Sequence, residues 1–386
     1  MRPQQTIIVG GGPAGAALAI TLARRGVHAV VLEARPRAEI KVGECLPPDT
    51  NPLLEKLGIK DKMPEGGHLL LYGKRSVWGS DFVVEQDFIF GVNGPGWQLN
   101  RRKFEQQLSD QARAEGVDFC YGHRLISCSF ESQRWRLNVN APEGKKEMEA
   151  DFVVDATGRP ARLARQIGAS HIRYDKLIAV VAEMKSSSRP SEQDAFTTVE
   201  AVASGWWYSA HLPEGILCVL YLTDSDLIDH KTICQINCWQ TELEKTRYIR
   251  DYVSETGGSF LSPPRIISAS SLRLDAVTGE RWLAVGDAAT AYDPLASYGI
   301  SSALGAGFYG GHAIADFLAG STSALETYHG ILDQSYARYL FMRWEHYKLE
   351  QRWADEPFWQ RRHALPYADS QNNFNDLKRN GGQGQS

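Results

Sequence analysis

Ile7-Ile8-Val9-Gly10-Gly11-Gly12-Pro13-Ala14-Gly15 is the stretch that decides the fold of this chain. A short apolar strand runs into three glycines, and Ala16-Ala17-Leu18-Ala19-Ile20-Thr21-Leu22-Ala23 follows with the character of a packed helix. A second apolar run, Ala29-Val30-Val31-Leu32, ends at Glu33. Strand, glycine turn, helix, strand and acidic terminus, in that order, make a dinucleotide-binding βαβ unit. Gly10, Gly12 and Gly15 let the backbone turn and approach a pyrophosphate. Pro13 and Ala14 open the helix whose N-terminus faces that charge. Glu33 stands where a carboxylate accepts hydrogen bonds from ribose hydroxyls.

A second element near the other end of the chain narrows the nucleotide. Trp282-Leu283-Ala284-Val285 reads as a buried strand entering Gly286-Asp287-Ala288-Ala289, and Tyr292-Asp293-Pro294-Leu295-Ala296-Ser297-Tyr298-Gly299-Ile300 follows. A strand ending in Gly286-Asp287 before a small-residue helix sets a carboxylate beside the ribityl or phosphate hydroxyls of a flavin. Paired with the N-terminal fingerprint, it selects FAD over NAD. Only one dinucleotide fingerprint is visible, so NAD(P)H visits transiently or a separate flavin reductase supplies the electrons. Both remain open.

The chain has 386 residues, 43% hydrophobic and 23% charged, with a net charge of −4. That size supports more than one core, and that charge carries no footprint for nucleic acid or an anionic membrane. The apolar stretch from Ile7 to Ala23 contains the glycine fingerprint and has only Arg2 ahead of it as a basic residue, which argues against a secretory signal. Six cysteines without a regular framework suit a reducing compartment, and a cytoplasmic location is expected. Cys234 and Cys238 are four apart, but no further ligands lie nearby, so no metal site is expected. Cys45, in Gly43-Glu44-Cys45-Leu46-Pro47-Pro48, reads as a small residue sooner than as a reactive thiol.

Composition changes along the chain predict an interleaved organisation. Residues 1–65, 96–174 and 272–330 are expected to build the FAD-binding domain, and 66–95 with 175–271 a β-rich substrate domain. Residues 331–368 form a helical segment, and the Asn/Gln/Gly-rich residues 369–386 a disordered tail. Strands are expected at Leu69–Tyr72, Phe82–Val84 and Phe88–Phe90. A helix is expected from Asn100 to Gly116, carrying Phe104, Leu108 and Ala112 on one face. Residues 117–158 read as a strand meander, and Ser301–Leu318 as a Gly/Ala-rich helix suited to close packing.

With GGGPAG, Glu33, Lys41-Val42-Gly43-Glu44, Asn100-Arg101-Arg102-Lys103-Phe104-Glu105, Asp155-Ala156-Thr157-Gly158 and Gly286-Asp287 in this spacing, the chain resembles the para-hydroxybenzoate hydroxylase superfamily. The Gly43–Pro48 and Asp293-Pro294-Leu295 patterns are similar to its tryptophan-halogenase-like branch. The resemblance spans residues 5–365. It implies an α/β fold: a Rossmann-like FAD-binding domain of the para-hydroxybenzoate hydroxylase type, an inserted β-sheet substrate domain and C-terminal helices. It implies that Lys41 contacts the cofactor and that Arg101 reaches the pyrophosphate. It also implies that the amides around Leu295–Ile300, with Pro294, Gly299 and Ile300, meet the pyrimidine side of the flavin ring.

Three reactions compete: hydroxylation, halogenation, and simple hydride transfer. Halogenases of this branch typically carry Trp-x-Trp-x-Ile-Pro and a lysine that handles hypohalous acid. Here Gly205-Trp206-Trp207-Tyr208-Ser209-Ala210-His211-Leu212-Pro213 lacks that Trp spacing, and Leu71 occupies the lysine's place with Lys74 three residues on. Tyr298 replaces a smaller residue in the halide turn, Ser297-Tyr298-Gly299. Gly205–Tyr208, Ser76-Val77-Trp78-Gly79-Ser80 and Arg352-Trp353 with Pro357-Phe358-Trp359-Gln360-Arg361-Arg362 look closest to the LodB/GoxB type, the maturation flavoproteins of quinone-cofactor amino acid oxidases. That resemblance implies oxygenation of a tryptophan in an oxidase precursor on the way to cysteine tryptophylquinone. His211 is the candidate base for activating an indole. Glu44 and Asp293 are candidate flavin-facing carboxylates, although Asp293 precedes a proline and can serve the turn instead. Trp207 and Tyr298 are candidate substrate contacts. A halogenase, a small-molecule aromatic hydroxylase and a non-catalytic maturation chaperone stay as alternatives.

Overall fold

The computed structural model describes residues 5–36, 43–88, 90–186 and 195–364. Its chain divides into two compact units. The first comprises Met1–Leu69, Gly96–Arg173 and Ser271–Leu332, and the second Leu70–Pro95, Tyr174–Ser270 and Asp333–Ser386. The residues expected to form a tail lie outside the described set.

The first unit is built around the expected βαβ. Strand β1 (Gln5–Val9) pairs in parallel with β2 (His28–Glu33), and helix α1 (Pro13–Arg24) connects them. Helix α2 (Arg101–Ala114) is capped by Asn100, whose side chain accepts the Lys103 N–H at 3.2 Å. It buries Phe104, Leu108 and Ala112 on one face, as the helical spacing predicts. Strands β3 (Asp118–Tyr121), β4 (Phe152–Asp155), β5 (Thr278–Gly279) and β6 (Trp282–Ala284) complete a six-stranded sheet in the order β5-β6-β4-β1-β2-β3. All its neighbours are parallel except β5 and β6. Ile7, Ile8, Val30, Val31, Val153 and Val154 are buried at 4% exposure or less, as unbroken apolar runs in a covered parallel sheet require.

Helix α3 (Gly299–Leu318) packs on α1 through glycines. A Cβ at Gly307 would collide with the backbone oxygen of Ala14, and one at Gly311 would stand 2.7 Å from Thr21 Cβ. The Gly/Ala richness of this helix is therefore a packing device.

In the second unit, Gly205–Leu212, Ile216–Asp224 and Leu177–Ser186 form the antiparallel centre of an eight-stranded sheet. Phe196–Val202 joins Gly205–Leu212 on one side, and Gly73–Val77 and Val84–Asp87 extend that edge. The strands expected at Phe82–Val84 and Phe88–Phe90 are not seen there. The edge strand begins at Val84, Phe82 is 76% exposed and Phe90 is 91% exposed, while Ile89 lies outside the described residues. Helices Ile236–Leu243 and Tyr248–Thr256, which strand-rich composition did not suggest, cover one sheet face with Trp239, Leu243 and Ile249.

The helical residues after Asp333 belong to this second unit. Trp206 Nε1–H donates to Tyr347 Oη at 3.0 Å, and Trp359 Nε1–H donates to the Val202 carbonyl at 2.9 Å. Glu350, fully buried, accepts the Gly79 N–H at 2.8 Å. Asp224 (2% exposed) holds Arg362 (3% exposed) through contacts of 2.8 and 3.2 Å, with Arg361 reaching the same carboxylate at 2.9 Å. Removing one partner of so buried a pair leaves an uncompensated charge. Asp224→Ala is expected to cost about 3–5 kcal/mol, read as a lower urea midpoint. An unchanged midpoint would show that the pair contributes nothing.

Candidate cofactor site

The glycine turn is shaped by what each position must leave empty. Gly10 has φ +113°, and a Cβ there would collide with the Ala156 carbonyl, which ties the turn to the end of β4. A Cβ at Gly15 would strike the Gly10 carbonyl, so Gly15 is needed for the closeness of helix and turn. Gly12 differs. Nothing lies within 4 Å of the Cβ it lacks, and it is the N-cap of α1, with Pro13 at the first helical position. Gly12 therefore borders open space at a helix N-terminus, where a phosphate is favoured.

Glu33 accepts the Gly11 N–H at 2.8 Å and the Arg35 N–H at 2.9 Å, one on each oxygen. These bonds fix the carboxylate at the end of β2, with lone pairs left for hydroxyl donors. Gly286 has φ +59°, and a Cβ there would come within 2.7 Å of Ala14 Cβ. The fingerprint and the Gly286-Asp287 element thus meet directly, although more than 270 positions separate them in sequence. An open glycine turn, a fixed carboxylate and a second carboxylate together fit the pyrophosphate, ribose and ribityl parts of FAD.

Arg159 completes this corner. Its Nε lies 3.4 Å from Asp287 Oδ2, and its Nη2 donates to the Tyr292 carbonyl at 3.1 Å. The mass of protein around Asp287 raises its pKa, while Arg159 and then Arg101 oppose the rise. The Asp287 side chain keeps 35% of its surface, so a ligand can touch it. Arg159 was not among the expected site residues. Its signal was its place immediately after Asp155–Gly158, but nothing in sequence aims it at Asp287. Asp155 is the buried anchor of that turn. It accepts the Thr157 N–H and Oγ1–H and the Ala164 N–H at 2.7–2.8 Å, while burial pushes its carboxyl up.

Arg101, in the first turn of α2, donates to the Gly43 carbonyl at 2.6 Å and to Glu105 at 2.8 Å. Glu44 follows Gly43, is 4% exposed, and its carbonyl accepts the Leu99 N–H. Lys41 lies outside the described residues. Pro294 opens the short turn Pro294–Ala296, and Ser297, at φ +54°, leads into Tyr298 and the start of α3 at Gly299 and Ile300. A Cβ at Gly299 would meet nothing within 4 Å, and Tyr298 is 46% exposed.

Three expected roles are corrected. Asp293 is 1% exposed and accepts the Leu295 N–H at 3.0 Å, so its carboxylate caps the turn and is not presented for chemistry. Trp207 is fully buried, stacked on Tyr221 at 4.9 Å and edge-on to Trp239 at 5.3 Å. It is a core residue of the second unit and offers a substrate no surface. His211, 1% exposed, falls on the same sheet face as Trp207 by strand alternation, the face that the two helices cover. That position removes it from the role of an accessible base. Trp206, Tyr208 and Ala210 point to the opposite face.

Among the described residues no group of His, Cys, Asp and Glu is arranged to hold a metal, and no helix is long and apolar enough to cross a membrane.

Fold and site together define a flavoprotein oxidoreductase with a Rossmann-like FAD-binding domain. The chain belongs to the FAD binding domain family, whose match covers residues 4–336. Among individual proteins it is 28% identical over 370 residues to LodB of Marinomonas mediterranea, named as an FAD-dependent oxidoreductase, covering 95% of this chain and 98% of that one. The myxobacterial chondrochloren halogenase CndH shares its fold with a TM-score of 0.85 at 23% identity, over 98% of this chain and 90% of CndH. QhpG, a peptidyl tryptophan dihydroxylase essential for tryptophylquinone cofactor biogenesis, aligns with a TM-score of 0.75 at 22% identity, over 95% and 80% of the two chains.

Proposed function

We propose that this protein is an FAD-dependent monooxygenase that hydroxylates a tryptophan side chain within the precursor of a quinone-cofactor amino acid oxidase. The observation that carries this reading is the match to LodB over 95% of this chain and 98% of that one. The fold shared with QhpG supports it, since that protein acts on peptidyl tryptophan. Bound FAD supplies two electrons, so that one atom of O2 enters the indole and the other leaves as water; NAD(P)H or a separate flavin reductase replenishes them.

The chain's own residues then bind and orient. The α1 N-terminus at Gly12 takes the pyrophosphate, Glu33 the adenosine ribose, and Asp287 the ribityl or phosphate hydroxyls. The start of α3, at Gly299 and Ile300, offers backbone N–H groups to the ring. Glu44, at 4% exposure, is as enclosed as His211 and Asp293, and none of the three is assigned a catalytic role. A protein substrate is also supported by apolar surface beside the edge strand Val84–Asp87, where Phe82, Phe90 and Val92 are 76%, 91% and 100% exposed. Exposed apolar surface of this kind suits a protein contact.

Halogenation is the competing reading, because CndH shares the fold. Against it stand Leu71, fully buried where the branch keeps its lysine, and the exposed Tyr298 in the halide turn. Incubation with reduced FAD, oxygen, bromide or chloride, and tryptophan or phenols is expected to give no halogenated product by mass spectrometry. A clean mono-halogenated product would reverse the assignment. A maturation chaperone without catalysis would leave oxygen consumption unchanged when precursor is added, whereas the monooxygenase accelerates it.

A further inference from the structure

We propose that Arg159 is a positioning residue for FAD: it holds the Asp287 carboxylate in its orientation, so that cofactor affinity depends on the Arg159–Asp287 pair and not on Asp287 alone. The inference rests on the FAD reading of the first unit but is independent of the substrate. Arg159 follows the turn that Asp155 anchors at the end of β4, so its backbone is fixed from beneath by buried hydrogen bonds. Its guanidinium spans two points of the neighbouring element, the Asp287 carboxylate at 3.4 Å and the Tyr292 carbonyl at 3.1 Å. One planar cation with fixed donors can hold a carboxylate's orientation in a way that a flexible ammonium does less well.

Among the described residues, the charged groups that act on Asp287 are Arg159 and Arg101. Ala14 and Ala303 pack against the adjoining Gly286 and bring no charge. Arg101 acts on Asp287 more weakly than Arg159 does, and Tyr292 is a half-buried phenol whose ionisation Asp287 itself opposes. Burial alone favours the neutral acid at Asp287, and Arg159 is the largest opposing influence. A neutral acid loses one acceptor site to its own proton, and its hydrogen bonds to hydroxyls lose their charge assistance. With Arg159 removed, the carboxyl should take up a proton at higher pH than in the native protein. Affinity should then fall with falling pH sooner than it does in the native protein.

The test is an FAD titration of the deflavinated full-length protein, followed by quenching of flavin fluorescence from about pH 9 to about pH 6. The native protein, Arg159→Met, Arg159→Lys and Asp287→Asn are compared, with circular dichroism confirming that each is folded. Arg159→Met is expected to bind about tenfold more weakly at the alkaline end, and its deficit against the native protein should grow as pH falls. Arg159→Lys should restore the native profile with part of the affinity, and Asp287→Asn should be weak and independent of pH. A native-like profile in Arg159→Met would overturn the proposal. So would a loss that is the same at every pH and is not relieved by lysine, because that would mark Arg159 as structural. Native affinity in Asp287→Asn would equally defeat it.

Discussion

Gly12→Val will give a folded protein without colour. The substitution places its Cβ, which carries two methyl groups, where the structure leaves nothing within 4 Å, so the branch point collides with no atom of the fold. The same methyl groups stand in front of the α1 N-terminus, where the FAD pyrophosphate must come close to the backbone. Losing that approach is expected to weaken FAD binding by about a hundredfold or more, roughly 3 kcal/mol. Gly10 and Gly15 predict the contrast. A Cβ at either meets a backbone oxygen of the protein itself, and Gly10 also has φ +113°. Their substitution should therefore damage folding, not only cofactor binding. Visible flavin absorbance and circular dichroism on the three purified variants check this. Gly12→Val that stays yellow at full occupancy would remove the pyrophosphate from this turn.

Deleting the gene is expected to leave the partner oxidase synthesised but without its quinone, an all-or-none effect. If the tryptophan is oxygenated by this protein, no residue of the oxidase supplies the missing oxygen, and the precursor stops at an unmodified indole. Intact-protein mass spectrometry of the oxidase from the deletion strain should find that tryptophan lighter by the added oxygen. Re-expression of the native chain should restore the quinone, and Gly12→Val should not. A fully mature oxidase in the deletion strain would reject the partner while leaving the FAD site untouched.

The cofactor half of this account is legible in sequence because its signals are local. A strand, three glycines and a helix start are contiguous residues, and Glu33 lies one short strand beyond them. The meeting of Gly286 with Ala14 has no sequence signal, since no periodicity reports on a contact of that sequence separation. Arg159 was missed for the same reason, because its partner is set by the register of β4 against β6. The errors in the second unit have another cause. Trp207 and His211 were read as site residues from their chemistry, but a strand turns alternate side chains to opposite faces. Which face is covered depended on helices Ile236–Leu243 and Tyr248–Thr256, hidden in a segment whose composition reads as strand. Asp293 shows the converse: a carboxylate before proline caps its own turn, and that role was visible in the pair of residues alone.

The most direct test of the central claim is to incubate the purified protein with precursor oxidase, FAD kept reduced by a flavin reductase, and oxygen-18 gas, and then to weigh the tryptophan-bearing peptide. The account predicts one labelled oxygen in the indole for each hydroxyl introduced, dependent on this protein and absent with Gly12→Val. An indole that stays unlabelled while FAD is bound and oxygen is consumed would contradict it.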